Sequence, residues 1–412
     1  MTAPALAAPV DFDPTALDLT DPQTFLDHDP HELFRPYRAH SPVFWHPGSE
    51  HLPGFWVLTK YDDVMAVYRD NKRFTSERGN VLSTLLLGED SAAGKMLAVT
   101  DGPRHREIRN LMMKSFSPRV LAPVVESVRA RTDRLVAEAV DRGELDWVHD
   151  VADQVPIHSI GDLMGVPEED REQLVDWNAQ TLSRYSSEDS EEVSLMARNE
   201  IILYISGMLE ERRRNPGEDV LSTLANATID GKPLTEEEII YNTYSLLLGG
   251  DESSRSTATG ALIALSEHPE QWRKLKSGEV GMDTATEEVM RWITPTNHFG
   301  RHALTDLEIR GHQVKEGQVV TLWNASANFD EDAFADPYSF DLARTPNKHV
   351  SFGHGPHFCL GAYLGRVHLQ ALLESMVTRI AESEVLGDPV RLFSNFGMGW
   401  SSMRVRVTPE RG

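Results

Sequence analysis

Phe352-Gly353-His354-Gly355-Pro356-His357-Phe358-Cys359-Leu360-Gly361 contains the one cysteine of this chain. A lone thiol can form no internal disulfide and no multi-cysteine metal site. It can supply one soft axial ligand to a haem iron, where a thiolate pushes electron density toward O–O cleavage. A free cysteine is more often an inert buried group. The setting distinguishes this one: glycines, histidines and aromatic residues surround it at fixed spacing, just before a long apolar stretch. Glycines let the backbone approach a flat ligand closely and adopt positive φ. Backbone N–H groups can then donate to the sulfur. A helix starting after Gly361 would turn its positive end toward a thiolate and favour the anion.

The chain has 412 residues, a length that suggests two or three domains on average. No Pro/Gly/Ser tract, low-complexity run or repeat marks a linker, so one large domain over 31–412 is expected, behind a loosely packed Pro- and Asp-rich lead-in over 1–30. The formal net charge is −24, from 40 Lys and Arg against 64 Asp and Glu. Such acidity argues against nucleic acid, whose phosphates require a basic surface, and against anionic membranes. No run approaches the roughly 18–20 apolar residues of a membrane span. The first residues lack the basic and apolar regions of a signal peptide. A single cysteine suits a reducing compartment, so a cytoplasmic location is expected.

Short strands are expected at Val43-Phe44-Trp45 and Phe55-Trp56-Val57-Leu58, with Pro/Gly turns between them. The pattern turns helical from Tyr61. Residues 77–100 read as a mobile loop with short helical pieces. Helical periodicity marks 119–141, about 193–213, and 235–266, the last opening on Thr235-Glu236-Glu237-Glu238, a good helix start with acids in its first turn. Residues 306–323 read as short strands with a turn at Lys315-Glu316-Gly317. Helix dominates and sheet is minor.

The Cys359 run resembles the haem-binding loop of the cytochrome P450 family, Phe-Gly-x-Gly-x-His-x-Cys-x-Gly, with every specified position matched. Four further motifs follow in the family's order, and the likeness spans roughly 40–408. The resemblance implies the P450 fold, mainly α with a small β region, and haem b as cofactor. Cys359 would be the axial iron ligand, with Phe352, Gly353 and Gly361 shaping its loop.

Gly249-Gly250-Asp251-Glu252-Ser253-Ser254 lies inside the 235–266 helix. Two helical glycines cost roughly 1 kcal/mol each relative to Ala, which suggests a use. The run is similar to the family's oxygen-activation motif, in which small residues leave room above the iron. By position Glu252 takes the acid role and Ser253 the alcohol role, with Asp251 able to share the relay. O–O cleavage needs two protons at the distal oxygen, and such a pair can deliver them. Serine replaces the usual threonine; the hydroxyl survives, but without the methyl its rotamer is less fixed. Glu288-Val289-Met290-Arg291 places an acid and a base on one helical face. The segment Asp336–Arg344 resembles the family's approach to the cysteine loop, so Arg344 would complete a Glu288–Arg291–Arg344 network that locks the haem's proximal side.

Haem carries two propionates. Asp101-Gly102-Pro103-Arg104-His105-Arg106-Glu107-Ile108-Arg109 resembles the family's motif beneath the haem, with His105 and Arg109 four apart on one face. Arg301 matches the strand arginine that reaches a propionate, and His357 would be the fourth donor. Charge-assisted bonds of this kind are the strong class. One departure is Phe329 in Ala327-Asn328-Phe329-Asp330, where the family often has arginine, which puts a local salt bridge in doubt.

No dinucleotide fingerprint or cysteine cluster supplies electrons from within. The resemblance implies NAD(P)H-derived electrons through an external ferredoxin and ferredoxin reductase, docking on a basic face that includes Arg104, Arg106, Lys114, Arg119 and Arg366. Substrate contacts would come from 77–100, the helices around 170–205, Thr243–Gly249, Thr294–Gly300 and the turn Phe393–Ser402. Ser76–Leu82 and Gly88–Met96 are similar to a narrower group that hydroxylates the β-carbon of an amino acid held on a peptidyl carrier protein. The alternatives are hydroxylation of a free terpene, polyketide or aromatic, and a non-catalytic haem sensor. A peroxide-driven enzyme is a further rival, which the acid/alcohol pair argues against.

Overall fold

Thr235 and Glu238 cap each other at the start of the longest helix. Glu238 N–H donates to Thr235 Oγ1 at 3.2 Å, and Thr235 N–H donates to the Glu238 carboxylate at 2.9 Å. This reciprocal box satisfies donors that a helix start otherwise leaves open. The helix runs Glu236–Glu267 through the middle of the molecule, where Leu247, Asp251, Arg255, Leu262 and Leu265 are all buried. The computed structural model describes residues 12–49, 52–88, 90–181 and 191–410.

Around this central helix pack Gln154–Met164, Glu191–Arg214, Met282–Ile293 and Ala362–Arg379. Pro118–Arg142 lies against Ala362–Arg379. The largest apolar cluster joins Trp147, Leu262, Val289, Phe340, Leu372 and Val405. Each such side chain, fully buried, contributes roughly 1.5–3 kcal/mol. Among the described residues no helix is long and apolar enough to cross a membrane.

The main sheet has five strands in the order Val43–His46, Phe55–Leu58, Val319–Trp323, His298–Ala303, Phe74–Thr75. Val319–Trp323 runs parallel to Phe55–Leu58 and antiparallel to His298–Ala303, with Val320 opposite Arg301. That register turns Arg301 inward. Gly317 takes the positive φ of +82° that the turn after Lys315 requires.

Helices expected at 119–141, 193–213 and 235–266 are found at Pro118–Arg142, Glu191–Arg214 and Glu236–Glu267. A sheet made of Ile380–Val385, Arg404–Pro409 and Glu144–Asp146 was not expected.

Two segments pack more closely than their composition implies. Residues 1–11 of the lead-in lie outside the described residues, but Leu19 and Phe25 are buried, and Phe25 stacks on Trp323 with centroids 5.6 Å apart. Asn395 Nδ2 donates to Thr20 O at 3.0 Å, and Arg391 Nη1 to His28 O at 3.2 Å, stitching this segment to the C-terminal turn. In the 77–100 loop, Leu82–Leu87 is helical, with Leu85 and Leu86 buried, and Leu97–Val99 is a 3-10 turn. Leu97 N–H donates to Asn242 Oδ1 at 2.8 Å, pinning the loop to the central helix. Glu89 in that loop lies outside the described residues, as do residues 182–190 between the two helices expected around 170–205.

Candidate active site

The cysteine loop is shaped by two glycines in the left-handed region, Gly353 at φ +64° and Gly355 at φ +71°. A Cβ at Gly355 would lie 2.3 Å from Tyr68 O, so only glycine fits there. Gly361 has ordinary backbone angles, and a Cβ there would fall 4.0 Å from Cys359 Sγ, so neither strain nor a clash requires glycine at this position. Cys359 N–H donates to Phe352 O at 2.9 Å, and the helix Ala362–Arg379 starts directly after the loop.

Cys359 keeps exposed surface of its own although many protein atoms surround it, so it is not sealed within packed core. Burial pushes its thiol pKa up; the Gly361 N–H and the charges of Arg109 and Arg366 pull the other way. A structural thiol would be sealed by apolar atoms. This one is presented.

The four expected donors converge beside it. His105 and His357 have ring centroids 4.4 Å apart. His357 Nε2 lies 2.8 Å from Asp101 Oδ1, whose other oxygen accepts from Ser76 N–H at 2.6 Å and Thr75 Oγ1 at 2.7 Å. Burial alone would raise the Asp101 pKa, but these hydrogen bonds bring it down to about 2. Burial lowers the pKa of His357 despite that partner, so Asp101 is a carboxylate that orients a neutral imidazole. Arg109 Nη2 donates to Phe358 O at 2.7 Å. Arg301 is buried, with its guanidinium 5.8 Å from the Tyr68 ring centroid and Nη1 bonded to Gly300 O, and it forms no ion pair among the described residues. His105 Nε2 is buried without a hydrogen-bond partner among the described residues, and burial, with the charges of His357 and Arg109, holds its pKa down to about 4.

The central helix brings Asp251, Glu252 and Ser253 into three different environments. Ser253 Oγ donates to Gly249 O at 3.0 Å. Asp251 is buried and accepts from Asn178 Nδ2 on the helix Arg171–Thr181. The Glu252 carboxylate pairs with Arg255 and accepts from Ser256 Oγ at 3.3 Å. The two glycines divide the work expected of both. A Cβ at Gly249 would meet open space, whereas one at Gly250 would lie 2.9 Å from Ile160 Cδ1. Gly250 therefore serves a helix crossing, and only Gly249 borders free space.

Below the loop, Glu288, Arg291 and Arg344 meet as expected. Arg291 contacts both Glu288 oxygens at 2.8 Å, and Arg344 Nε reaches Glu288 Oε2 at 3.0 Å. Asn347 Nδ2 adds a bond of 3.0 Å to the same carboxylate. Arg291 also donates to Asn328 O and Pro337 O, both at 2.9 Å. Phe329, the departure from the family pattern, lies beneath the Arg291 guanidinium, 5.0 Å from centroid to Cζ. A cation over an aromatic face takes the place of an ion pair there.

Two cations expected on the ferredoxin face are committed elsewhere. Arg104 Nε donates to Glu238 at 2.9 Å on the central helix. Arg366 grips Glu287 at 2.6 and 2.9 Å and lies over Phe352, 4.5 Å from its centroid. Arg106, Lys114 and Arg119 are exposed.

Comparison with known proteins decides the family. The pattern described as Cytochrome P450 matches residues 282–387, which hold both the Glu288 network and the cysteine loop. Cytochrome P450 NovI of Streptomyces niveus is 43% identical over 392 residues, covering 95% of this chain and 96% of NovI. The chain belongs to the cytochrome P450 family. A steroid C26-monooxygenase of Rhodococcus jostii is 34% identical, covering 97% of this chain and 86% of its own. The crystal structure of P450 OxyD, described as involved in biosynthesis of vancomycin-type antibiotics, superposes with a TM-score of 0.88 at 29% identity, covering 96% of this chain and all of that one.

A P450 implies haem, and the residues fit it. Cys359 offers an accessible sulfur to a metal. The buried His105 nitrogen and the Arg301 guanidinium are what two carboxylates would complete. The sequence reading did not single out Asn178, Arg255 or the orienting part played by Asp101. The Asp-x-Pro spacing could have pointed to Asp101. The i,i+3 spacing from Glu252 could have pointed to Arg255, whereas Asn178 meets Asp251 from far along the chain.

Proposed function

We propose that this P450 hydroxylates the β-carbon of an amino acid held on a peptidyl carrier protein. The observation that carries the chemistry is Cys359, exposed on its glycine-shaped loop, with His105, Arg109, Arg301 and His357 gathered nearby. In this reading Cys359 would give its thiolate to the haem iron, and His105, Arg109, Arg301 and His357 would hold the propionates. Bound haem supplies the activation of O2 and its insertion into a C–H bond. Glu252 and Ser253 would hold and pass protons to bound oxygen, with Asp251 tied to Asn178 as a support for that stretch of helix. Glu288, Arg291 and Arg344 fix the loop that holds the sulfur. Two electrons per turnover come from NAD(P)H through a ferredoxin and its reductase.

The substrate class rests on the Ser76–Leu82 and Gly88–Met96 resemblance. It is supported by the structural likeness to OxyD, described as involved in the biosynthesis of vancomycin-type antibiotics. A second reading, a free apolar substrate, is favoured by the steroid C26-monooxygenase relatives. Titration of the purified holoenzyme, followed by the haem Soret band, separates them. A shift with aminoacylated carrier protein, absent with free amino acid or with steroid, supports the proposal. A shift with the steroid alone overturns it in favour of the second reading.

A further inference from the structure

Arg255 is almost fully buried on the central helix, two residues beyond the proposed alcohol Ser253. Its guanidinium meets three separate parts of the chain. One edge pairs with Glu252. Nη1 donates to Trp400 O at 2.7 Å in the C-terminal turn. Nε lies 3.3 Å from Asp153 Oδ1, just ahead of the helix Gln154–Met164. The next residue repeats the connection. Ser256 Oγ donates to Glu252, and a Cβ at Gly399 would lie 2.2 Å from the same oxygen, so the turn packs on the helix at a residue bonded to the acid. The turn's other edge is bonded to the pocket segment, with Asn297 N–H donating to Phe396 O at 2.8 Å and Met398 N–H to Pro295 O at 3.0 Å.

We propose that Arg255 is a positioning residue that holds the Glu252 carboxylate against the central helix and couples its release to the seating of the C-terminal turn over the substrate. The inference rests on Glu252 being the proton-delivering acid. One guanidinium bonds the Glu252 carboxylate and the Trp400 carbonyl while lying within ion-pair range of Asp153, and its planar fork cannot reach all three equally after any one moves. When substrate shifts the Phe393–Ser402 turn, the Trp400 carbonyl moves with it. Arg255 then redistributes between Asp153 and Glu252, and the acid is freed to exchange protons. Without substrate the acid stays clamped, which limits wasteful oxygen reduction. The titratable and charged groups facing this cluster are Glu252 on the same helix, Asp153, and His149, which lies 3.3 Å from Asp153 with Asp146 beside it.

The test is a double-mutant cycle in the holoenzyme, read as product per NADPH, as the pH profile of coupling and as KM. Glu252→Gln is expected to lower coupling. Arg255→Gln is expected to lower it by about threefold or more, to shift the pH profile and to change KM by less than about twofold. Arg255→Lys recovers part of the loss, and Arg255→Gln adds nothing in the Glu252→Gln background. Hydrogen exchange gives a readout independent of turnover: substrate slows exchange over 393–402 in the wild type and does so less in Arg255→Gln. Should Arg255→Gln not fold, Ser256→Ala takes its place in the cycle, with a smaller loss in the same direction. Wild-type coupling and pH profile in the folded variant, or losses that add, overturn the positioning role alone. Unchanged coupling in Glu252→Gln overturns the acid assignment, and the positioning role with it.

Discussion

Arg291 meets both oxygens of Glu288 at 2.8 Å, and neither side chain has any exposure to solvent. Three residues apart on one helix, they form a closed fork that Arg344 and Asn347 complete. An ion pair this deep contributes little net stability while whole, but removing one member strands a charge without water. Arg291→Ala is therefore expected to cost about 3–5 kcal/mol. Thermal melting and haem content of the purified protein measure it; a variant that melts and loads haem like the wild type would remove the network from its proposed role.

Gly355→Ala places a methyl group against the Tyr68 carbonyl at a backbone angle that alanine resists. The expected cost exceeds about 1 kcal/mol, and the loop should move away from Tyr68. With carbon monoxide, the reduced variant should lose much of the absorbance band that thiolate ligation produces. A full-strength band would show that the loop tolerates the intrusion.

Ser253→Ala removes the hydroxyl bonded to Gly249 O and leaves the helix intact. Proton delivery by a placed group is a large effect, so product per NADPH should fall on the order of tenfold, with more hydrogen peroxide released. Unchanged coupling would assign proton delivery to another group.

Asp101 has a folded-state pKa of about 2, below the ordinary carboxylate value. A carboxyl depressed in the folded state adds stability above its unfolded pKa of about 3.9, and that contribution is lost as pH falls through the folded value. Asp101→Asn should melt below the wild type at pH 5–7, with the gap closing as pH is lowered from about 4 toward about 2. A gap independent of pH would mean that the Asp101 charge is not what stabilises His357.

Arg106 and Lys114 remain exposed beside the sulfur-bearing side, whereas Arg104 and Arg366 are held by glutamates. Reversing both charges, Arg106→Glu with Lys114→Glu, should slow reduction by an acidic ferredoxin at low salt, with the deficit shrinking as salt rises. Equal rates at low ionic strength would place the docking face elsewhere.

The cysteine loop and its donors could be read from sequence because their residue types sit at fixed short spacings. The long helices could be read from apolar periodicity and, at Thr235, from a cap. What escaped is set by contacts between distant segments. Arg255 reads as an ordinary helix charge until folding brings Asp153 and Trp400 to it. Gly250 and Gly249 look equivalent in sequence, and only the crossing with Ile160 separates them. Arg366 has the composition of a docking residue, but Glu287 on another helix claims it. Arg404-Val405-Arg406-Val407 alternates as a strand should, yet its partners lie both just before it and far upstream, at Glu144–Asp146.

Asn395 grips the backbone at Thr20, and Arg391 grips it at His28. The segment around residues 20–28 is thus buttoned to the turn around residues 391–395. Removing residues 12–30 would take away the backbone that Asn395 and Arg391 hold, and the C-terminal turn would lose that fastening.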